Sequence, residues 1–473
     1  MKKLTYYLLS IPLILSLTAC SNSSSGTEKK GASSTVKNDI DEGNSSDDII
    51  ITMATNGTEF YDTNGENMID KFNKMNNGYK IITKNYRIEG IDEDGRISYS
   101  FDDNALCLDI MKGEVVDIVY DCFEDAGKFH SLAEKGAFID LNEFLENDPQ
   151  VNRNTLNDHI LELCEINNEL PFLPLGYGIN TLAGYSKYVG EKENWTFDDM
   201  MDLWGKMPDN SLIGGVTAPN TKDYVYLNIL SMNMSSFINF DNCKAYYDSK
   251  EFLDILKFCN SFDYGEGFYK GGEQTDAPLF VWSLHILGFD DFHNELRSYE
   301  EPITFVGYPS DNANGTQIEL AGYIMAISAL SSSEKQQGAW EFLKMFAEED
   351  YQKNMAIPQY RGANPGTFGG QLCFPINNVV FEELGKERYD KEMDSNVVSM
   401  QGKEVDVGYL TKDEYDRLVN LINDTKRVNI HMENDIIEII NDEIWAMFAN
   451  EKTPEEVAGN IQERVETMVS ERS

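Results

Sequence analysis

The chain has 473 residues with a near-average apolar share, 81 acidic residues against 39 basic ones, and a formal charge of −42. That imbalance excludes a nucleic-acid partner, because phosphate binding needs a basic footprint. It also disfavours adhesion to an anionic surface through charge alone.

The N-terminus carries Lys2 and Lys3, then a mostly apolar run from Leu4 to Leu17. This is the form of a signal peptide, too short for a comfortable transmembrane helix. It ends in Leu17-Thr18-Ala19-Cys20, which resembles the bacterial lipobox. The resemblance implies cleavage before Cys20, a thioether-linked diacylglycerol on its sulfur, and acylation of the new amino terminus, for example by palmitate. Two or more acyl chains hold a protein on a bilayer where one does not. Residues 21–47 are rich in Ser, Asn, Gly and charge, so they are expected to form a flexible tether. No later segment is long and apolar enough to span a membrane, which places the folded part on the extracytoplasmic face of the cell membrane.

Roughly 425 residues then remain, enough for two or three domains. Ile49 to Ala54 predicts a buried strand, followed by a polar loop from Thr55 to Thr63. Met68, Ile69, Phe72 and Met75 recur at helical spacing, and Tyr79 to Tyr86 predicts a second strand. Leu106, Ile110 and Met111 mark a helix, and Val115 to Tyr120 a third strand. Phe129, Leu132 and Ala133 mark another helix, and Leu141, Phe144 and Leu145 a short one. Strands alternating with helices argue for an α/β fold with a covered, largely parallel sheet. Further on, Trp195-Thr196 opens a helix with Thr196 as N-cap, Asp199 as capping-box partner and Trp195 stapled onto Met200. Ser333 with Gln336 opens a helix with face Ala339, Phe342, Leu343 and Phe346. Thr453-Pro454 opens the last one, with Pro454 at N1 and a stripe of Val457, Ile461, Val465 and Met468. No internal repeat is visible.

Several segments, in order, resemble extracellular solute-binding protein family 1, the carbohydrate-binding lipoproteins of ABC importers. Gly113-Glu114-Val115-Val116-Asp117-Ile118-Val119 is similar to the family's Gly-x-x-Pro-Asp-Ile strand, with Val116 in place of proline. Lys135-Gly136 through Asp140-Leu141, Leu170-Pro171-Phe172-Leu173-Pro174 to Thr181, Asn194-Trp195-Thr196, Gly307-Tyr308-Pro309-Ser310 and Ala339-Trp340-Glu341-Phe342-Leu343 resemble further family segments. The resemblance implies a two-lobe periplasmic-binding-protein-like fold, with discontinuous lobes, a hinge, and ligand in the cleft. Lobe one is then 48–174 plus 320–370, and lobe two 175–319 plus 371–473. The implied partners are a small solute of the sugar class, the importer's permease subunits and the bilayer through Cys20. The implied state is a monomer.

In open α/β sheets, ligands bind beyond the carboxyl ends of strands. The loop after the first strand therefore offers Asn56, Thr58, Glu59, Phe60 and Tyr61, and the third strand offers Asp121. Hydroxyls, amides, carboxylates and ring faces are what a sugar needs; the alternatives are helix capping for Thr58 and Asp121 and local packing for Phe60. By the resemblance, Tyr177 faces the cleft beside the first crossing, Trp282 supplies an apolar platform in lobe two, and Arg361 lies in a Gly/Pro-rich cleft wall. Interlobe packing for Tyr177, core burial for Trp282 and a surface ion pair for Arg361 stay open.

No catalytic signature is present: no Gly-x-Ser-x-Gly elbow, His-Glu-x-x-His or phosphate loop. The five histidines do not fall at ligand spacing, and Asp92-Glu93-Asp94-Gly95 does not continue as a calcium loop. Neither enzyme activity, metal nor cofactor is expected. Besides Cys20, six cysteines remain, and none are at zinc spacing. A lipid-anchored glycoside hydrolase, or a binding protein for peptides or other solutes, are the rival readings.

Overall fold

The computed structural model describes residues 48–470 apart from 58, 63–64, 92–96, 114–115, 122, 124, 192–193, 215–219, 240–241, 264–276, 298, 300, 311–313, 356–372, 391–396, 401–402, 407 and 430–433. Cys20, Thr58 and Arg361 lie outside the described residues, as do the rest of the leader and tether.

The strands in chain order are β1 (Ile49–Thr55), β2 (Tyr79–Asn85), β3 (Arg87–Ile91), β4 (Ile97–Phe101), β5 (Ile118–Tyr120), β6 (Leu173–Tyr185), β7 (Ile238–Asn239), β8 (Lys244–Ala245), β9 (Val281–Ile286), β10 (Ile303–Phe305), β11 (Gln317–Ile327), β12 (Phe374–Pro375), β13 (Val397–Met400), β14 (Lys403–Asp406) and β15 (Val428–Asn429). Nine of them form one mixed sheet in the order β10-β6-β11-β5-β1-β2, with β9 and β12 also paired to β6, and β15 to β11. β1 lies parallel to β2 and β5. Its Ile-Ile-Ile-Thr run is β-branched, and such a run suits a strand covered on both faces. β6 and β11 are long and antiparallel, from Gln317 opposite Asn180 to Met325 opposite Leu173.

Two apolar cores follow from this layout. The first gathers β1, β2 and β5, the helices around them, and one face of β6, β9 and β11. The second lies on Leu182, Val281 and Val306 and is mostly helical, built by 197–259 and 436–469. Phe374, Ile376, Phe381, Leu384, Leu418 and Ile422, assigned to lobe two by the sequence division, pack into the first core. The reason is aromatic: Phe374 lies against Tyr177 (centroids 5.6 Å) and Phe289 (5.3 Å), and Phe381 lies against Phe289 (5.0 Å).

The segments that carried the family resemblance are structural locks. Asp117 is fully buried; its carboxylate accepts from the Thr52 N–H (2.8 Å), Ser331 Oγ (2.6 Å) and Lys335 Nζ (2.9 Å). It thereby ties β1 to the helix that starts at Ser333. Trp195 Nε1 donates to the Gly307 carbonyl (2.8 Å), and the Ser310 N–H donates to the Trp195 carbonyl (2.8 Å). The Asn-Trp-Thr and Gly-Tyr-Pro-Ser segments therefore hold each other. Gly315 packs so tightly on Tyr308 that an added Cβ would fall 1.8 Å from the Tyr308 carbonyl oxygen, so no larger residue fits this bridge.

Candidate functional site

The crossing strands bring four polar side chains together. On β6, alternate residues point to opposite faces. Tyr177, Ile179 and Ala183 enter the first core, and Leu182 enters the second on the other face. Asn180 shares that other face. It stands opposite Gln317 on β11 and His285 on β9, and residues paired in an antiparallel ladder emerge on the same side. Glu319, two residues beyond Gln317, points the same way.

Their geometry is compact. Glu319 Oε2 accepts from Asn180 Nδ2 at 2.6 Å and lies 2.9 Å from His285 Nε2. Gln317 Nε2 donates to the Met232 carbonyl (3.1 Å) and to Asn233 Oδ1 (3.2 Å). Asn233 in turn donates to the Pro309 carbonyl at 3.0 Å. Met232 and Asn233 belong to an irregular helical segment, π-helical over Tyr226–Leu230 and 3₁₀ over Ser231–Phe237. Such departures from the α-helix recur at functional sites. Asn180 and Gln317 are buried, whereas the side chains of His285 and Glu319 keep 26% and 28% exposure, so the group opens to solvent. Burial alone would lower the pKa of His285; the hydrogen bond and charge of Glu319, with Asp291 adding to them, raise it overall.

Sequence reasoning passed over this group. His285 was weighed only as a metal ligand, and Asn180, Gln317 and Glu319 carry no motif. The one signal was the scatter of single polar residues through three largely apolar strands, since buried polar groups cost stability unless they find hydrogen-bond partners.

The residues singled out from sequence divide into two sets. Asn56, Glu59, Tyr61 and Asp121 lie at the carboxyl ends of β1 and β5, as the topology requires. Asn56 ties these ends together: Tyr120 Oη donates to Asn56 Oδ1 (2.6 Å) and accepts from the Asn56 N–H (3.3 Å). Glu59 is exposed and accepts a hydrogen bond from the Tyr61 hydroxyl, which raises the Tyr61 pKa. Asp121 is partly buried; desolvation pushes its carboxyl up to about 7, against the pull of the Phe123 N–H, with Asp103 adding repulsion.

Phe60, Tyr177 and Trp282 form the second set, and the structure puts all three in the core. Phe60 is 1% exposed, edge-on to Tyr120 and Phe346. Tyr177 is fully buried against Phe374, its hydroxyl accepting from Asn157 Nδ2 at 3.3 Å. Trp282 is 4% exposed and shares the face of Leu284 and Ile286, with its ring 4.5 Å from Tyr299 and 5.4 Å from Tyr185. Strand alternation decides these cases: Trp282 and His285 are three apart on β9, so they leave opposite faces, and His285 has the polar one. In this conformation none of the three rings offers a face to a ligand.

Among the described residues no group of three or more His, Cys, Asp or Glu is placed to hold a metal, and no helix is long and apolar enough to cross a membrane. Among the described residues, Cys107, Cys164, Cys259 and Cys373 form no disulfide.

No protein-family model matches the chain, and no curated protein matches it. Solved structures do. A periplasmic oligogalacturonide-binding protein from Yersinia enterocolitica superposes with TM-score 0.53 at 12% identity, over 90% of this chain and 100% of the other. A de novo designed cysteine esterase superposes with TM-score 0.52 at 12% identity, over 90% and 99%. This chain therefore shares the two-lobe α/β fold of the periplasmic binding proteins.

Proposed function

We propose that this chain is the extracellular substrate-binding component of an ABC importer and captures a sugar or oligosaccharide between its lobes. The observation that carries the reading is the polar group Asn180, His285, Gln317 and Glu319, set on the crossing strands between two apolar cores and open to solvent. Buried polar groups cost stability unless they are hydrogen-bonded, and Gln317 Oε1 has no partner among the described residues, which leaves it an acceptor for a ligand. The shared fold supports the reading, since its Yersinia representative binds an oligosaccharide. Asn56, Glu59, Tyr61 and Asp121, with Thr58 and Arg361, are proposed to contact the ligand from lobe one.

The mechanism needs no catalysis. A ligand that touches both lobes stabilises the closed arrangement by its differential affinity for it. An importer permease can then tell loaded from empty protein by shape. The lipobox supports a diacylglycerol anchor at Cys20 with the tether 21–47 as spacer. Cys20→Ala should abolish incorporation of labelled palmitate; equal labelling of the variant rejects the anchor.

The reading is tested by thermal-shift measurements against panels of sugars, peptides and amino acids. A ligand bound only by the folded state raises the melting temperature by mass action, about 2.7 kcal/mol at a hundredfold excess over Kd. A sugar should give the shift. A shift from peptides or amino acids, with none from sugars, would refute the assignment.

A further inference from the structure

Gln317 has a fixed amide orientation. Its Nε2 faces the Met232 carbonyl, which can only accept, and also meets Asn233 Oδ1. The opposite atom, Oε1, is therefore presented as an acceptor. The residue is 4% exposed, and this oxygen has no hydrogen-bond partner among the described residues. A buried acceptor held in one orientation selects for a donor.

The surrounding charges narrow which donor fits. Glu319 lies on the same face, its Oε2 accepting from Asn180 and close to His285. Asp291 adds negative potential at His285, and Tyr308 lies close enough to Glu319 to feel its charge. None of the four floor residues is an arginine or lysine, the usual partners of a bound carboxylate or phosphate. An anionic group would meet Glu319, and the negative potential of Asp291 adds to that penalty. An uncharged hydroxyl meets no such penalty.

We propose that Asn180, His285, Gln317 and Glu319 form a subsite for a hydroxyl group of an uncharged sugar, with Gln317 Oε1 as its acceptor, and that the subsite excludes the corresponding uronic acids. The proposal rests on the solute-binding reading above and adds the charge class of the ligand. The side chains act as specificity determinants: Gln317 accepts from the ligand, and Glu319 repels carboxylates.

The test is calorimetric titration of the chain with maltotriose, β-1,4-galactotriose and trigalacturonate. At least one uncharged trisaccharide should bind, and trigalacturonate should bind at least about tenfold more weakly. Glu319→Gln should narrow the gap to trigalacturonate several-fold. Gln317→Leu should weaken the uncharged ligand about tenfold while the ligand-free melting temperature stays close to that of the parent. Should either variant fail to fold, the ranking by the parent protein still decides. Equal or tighter binding of trigalacturonate overturns the proposal. Uncharged ligand bound equally by parent, Gln317→Leu and Glu319→Gln overturns the subsite but leaves the sugar reading standing. Failure of all three trimers to bind removes the sugar reading, and the subsite with it.

Discussion

Asp121, which we propose contacts the ligand, shows how a single residue can be poorly placed for stability. Desolvation is the first cause of its raised pKa, near 7 against an ordinary 3.8. A carboxyl whose folded pKa is raised binds more protons when folded, so stability falls as pH rises from about 4 through about 7. Asp121→Asn should therefore raise stability at pH 8 by on the order of 1–2 kcal/mol, allowing for its partial exposure, and change little at pH 4. Denaturation curves at the two pH values check this; equal effects at both would reject it. Trp282 is the opposite case. Buried against Tyr185 and Tyr299, it should cost roughly 3–5 kcal/mol when replaced by alanine. Affinity of the folded fraction should be nearly unchanged. A tenfold loss of affinity with intact stability would return Trp282 to the ligand site.

At the scale of elements, the sequence was most legible where local chemistry decides. Thr196 caps its helix, and its capping box with Asp199 is present as the sequence implied. The last helix runs from Pro454 to Ser470, but its buried stripe closes on Val469, with Met468 only partly buried. The helix near Ser333 begins one residue earlier in its capping, at Ser332, since Ser332 is the side chain that accepts from the Lys335 N–H. What stayed hidden was non-local. Periodicity cannot say which face of β9 meets the first core, so Trp282 was named for the cleft with core burial left open, and His285 was not named for the cleft at all. The packing of Phe374 and Phe381 onto the first core was likewise invisible, because it depends on rings far apart in sequence. One such non-local contact has a pH signature. Burial would raise the Glu414 carboxyl, but hydrogen bonds from His293 and the Thr411 N–H, and the charge of Arg297, bring it down to about 2. It caps the helix Lys412–Asp424 and pairs with the helix Phe289–Arg297. A depressed pKa stabilises above the unfolded value and is lost as pH falls through the folded one. Glu414→Gln should thus cost at most about 3 kcal/mol at pH 7, with the difference shrinking as pH falls from about 4.5 toward 2. A pH-independent difference would show that Glu414 acts through packing instead.

For the whole molecule, the alternation of strands and helices and the order of the resembling segments were enough to expect the α/β two-lobe fold. The candidate site was only half visible: the loop ends at Asn56, Glu59, Tyr61 and Asp121 follow from topology, whereas the polar floor exists only once three distant strands are in register. The central claim is that one ligand engages both lobes and closes them. It is tested most directly by small-angle scattering of the chain, free and saturated with the sugar that gives the thermal shift. The account expects a smaller radius of gyration in the saturated sample, because the lobes rotate together over the floor formed by β6, β9 and β11. An identical profile, with saturation established by calorimetry on the same sample, would contradict it.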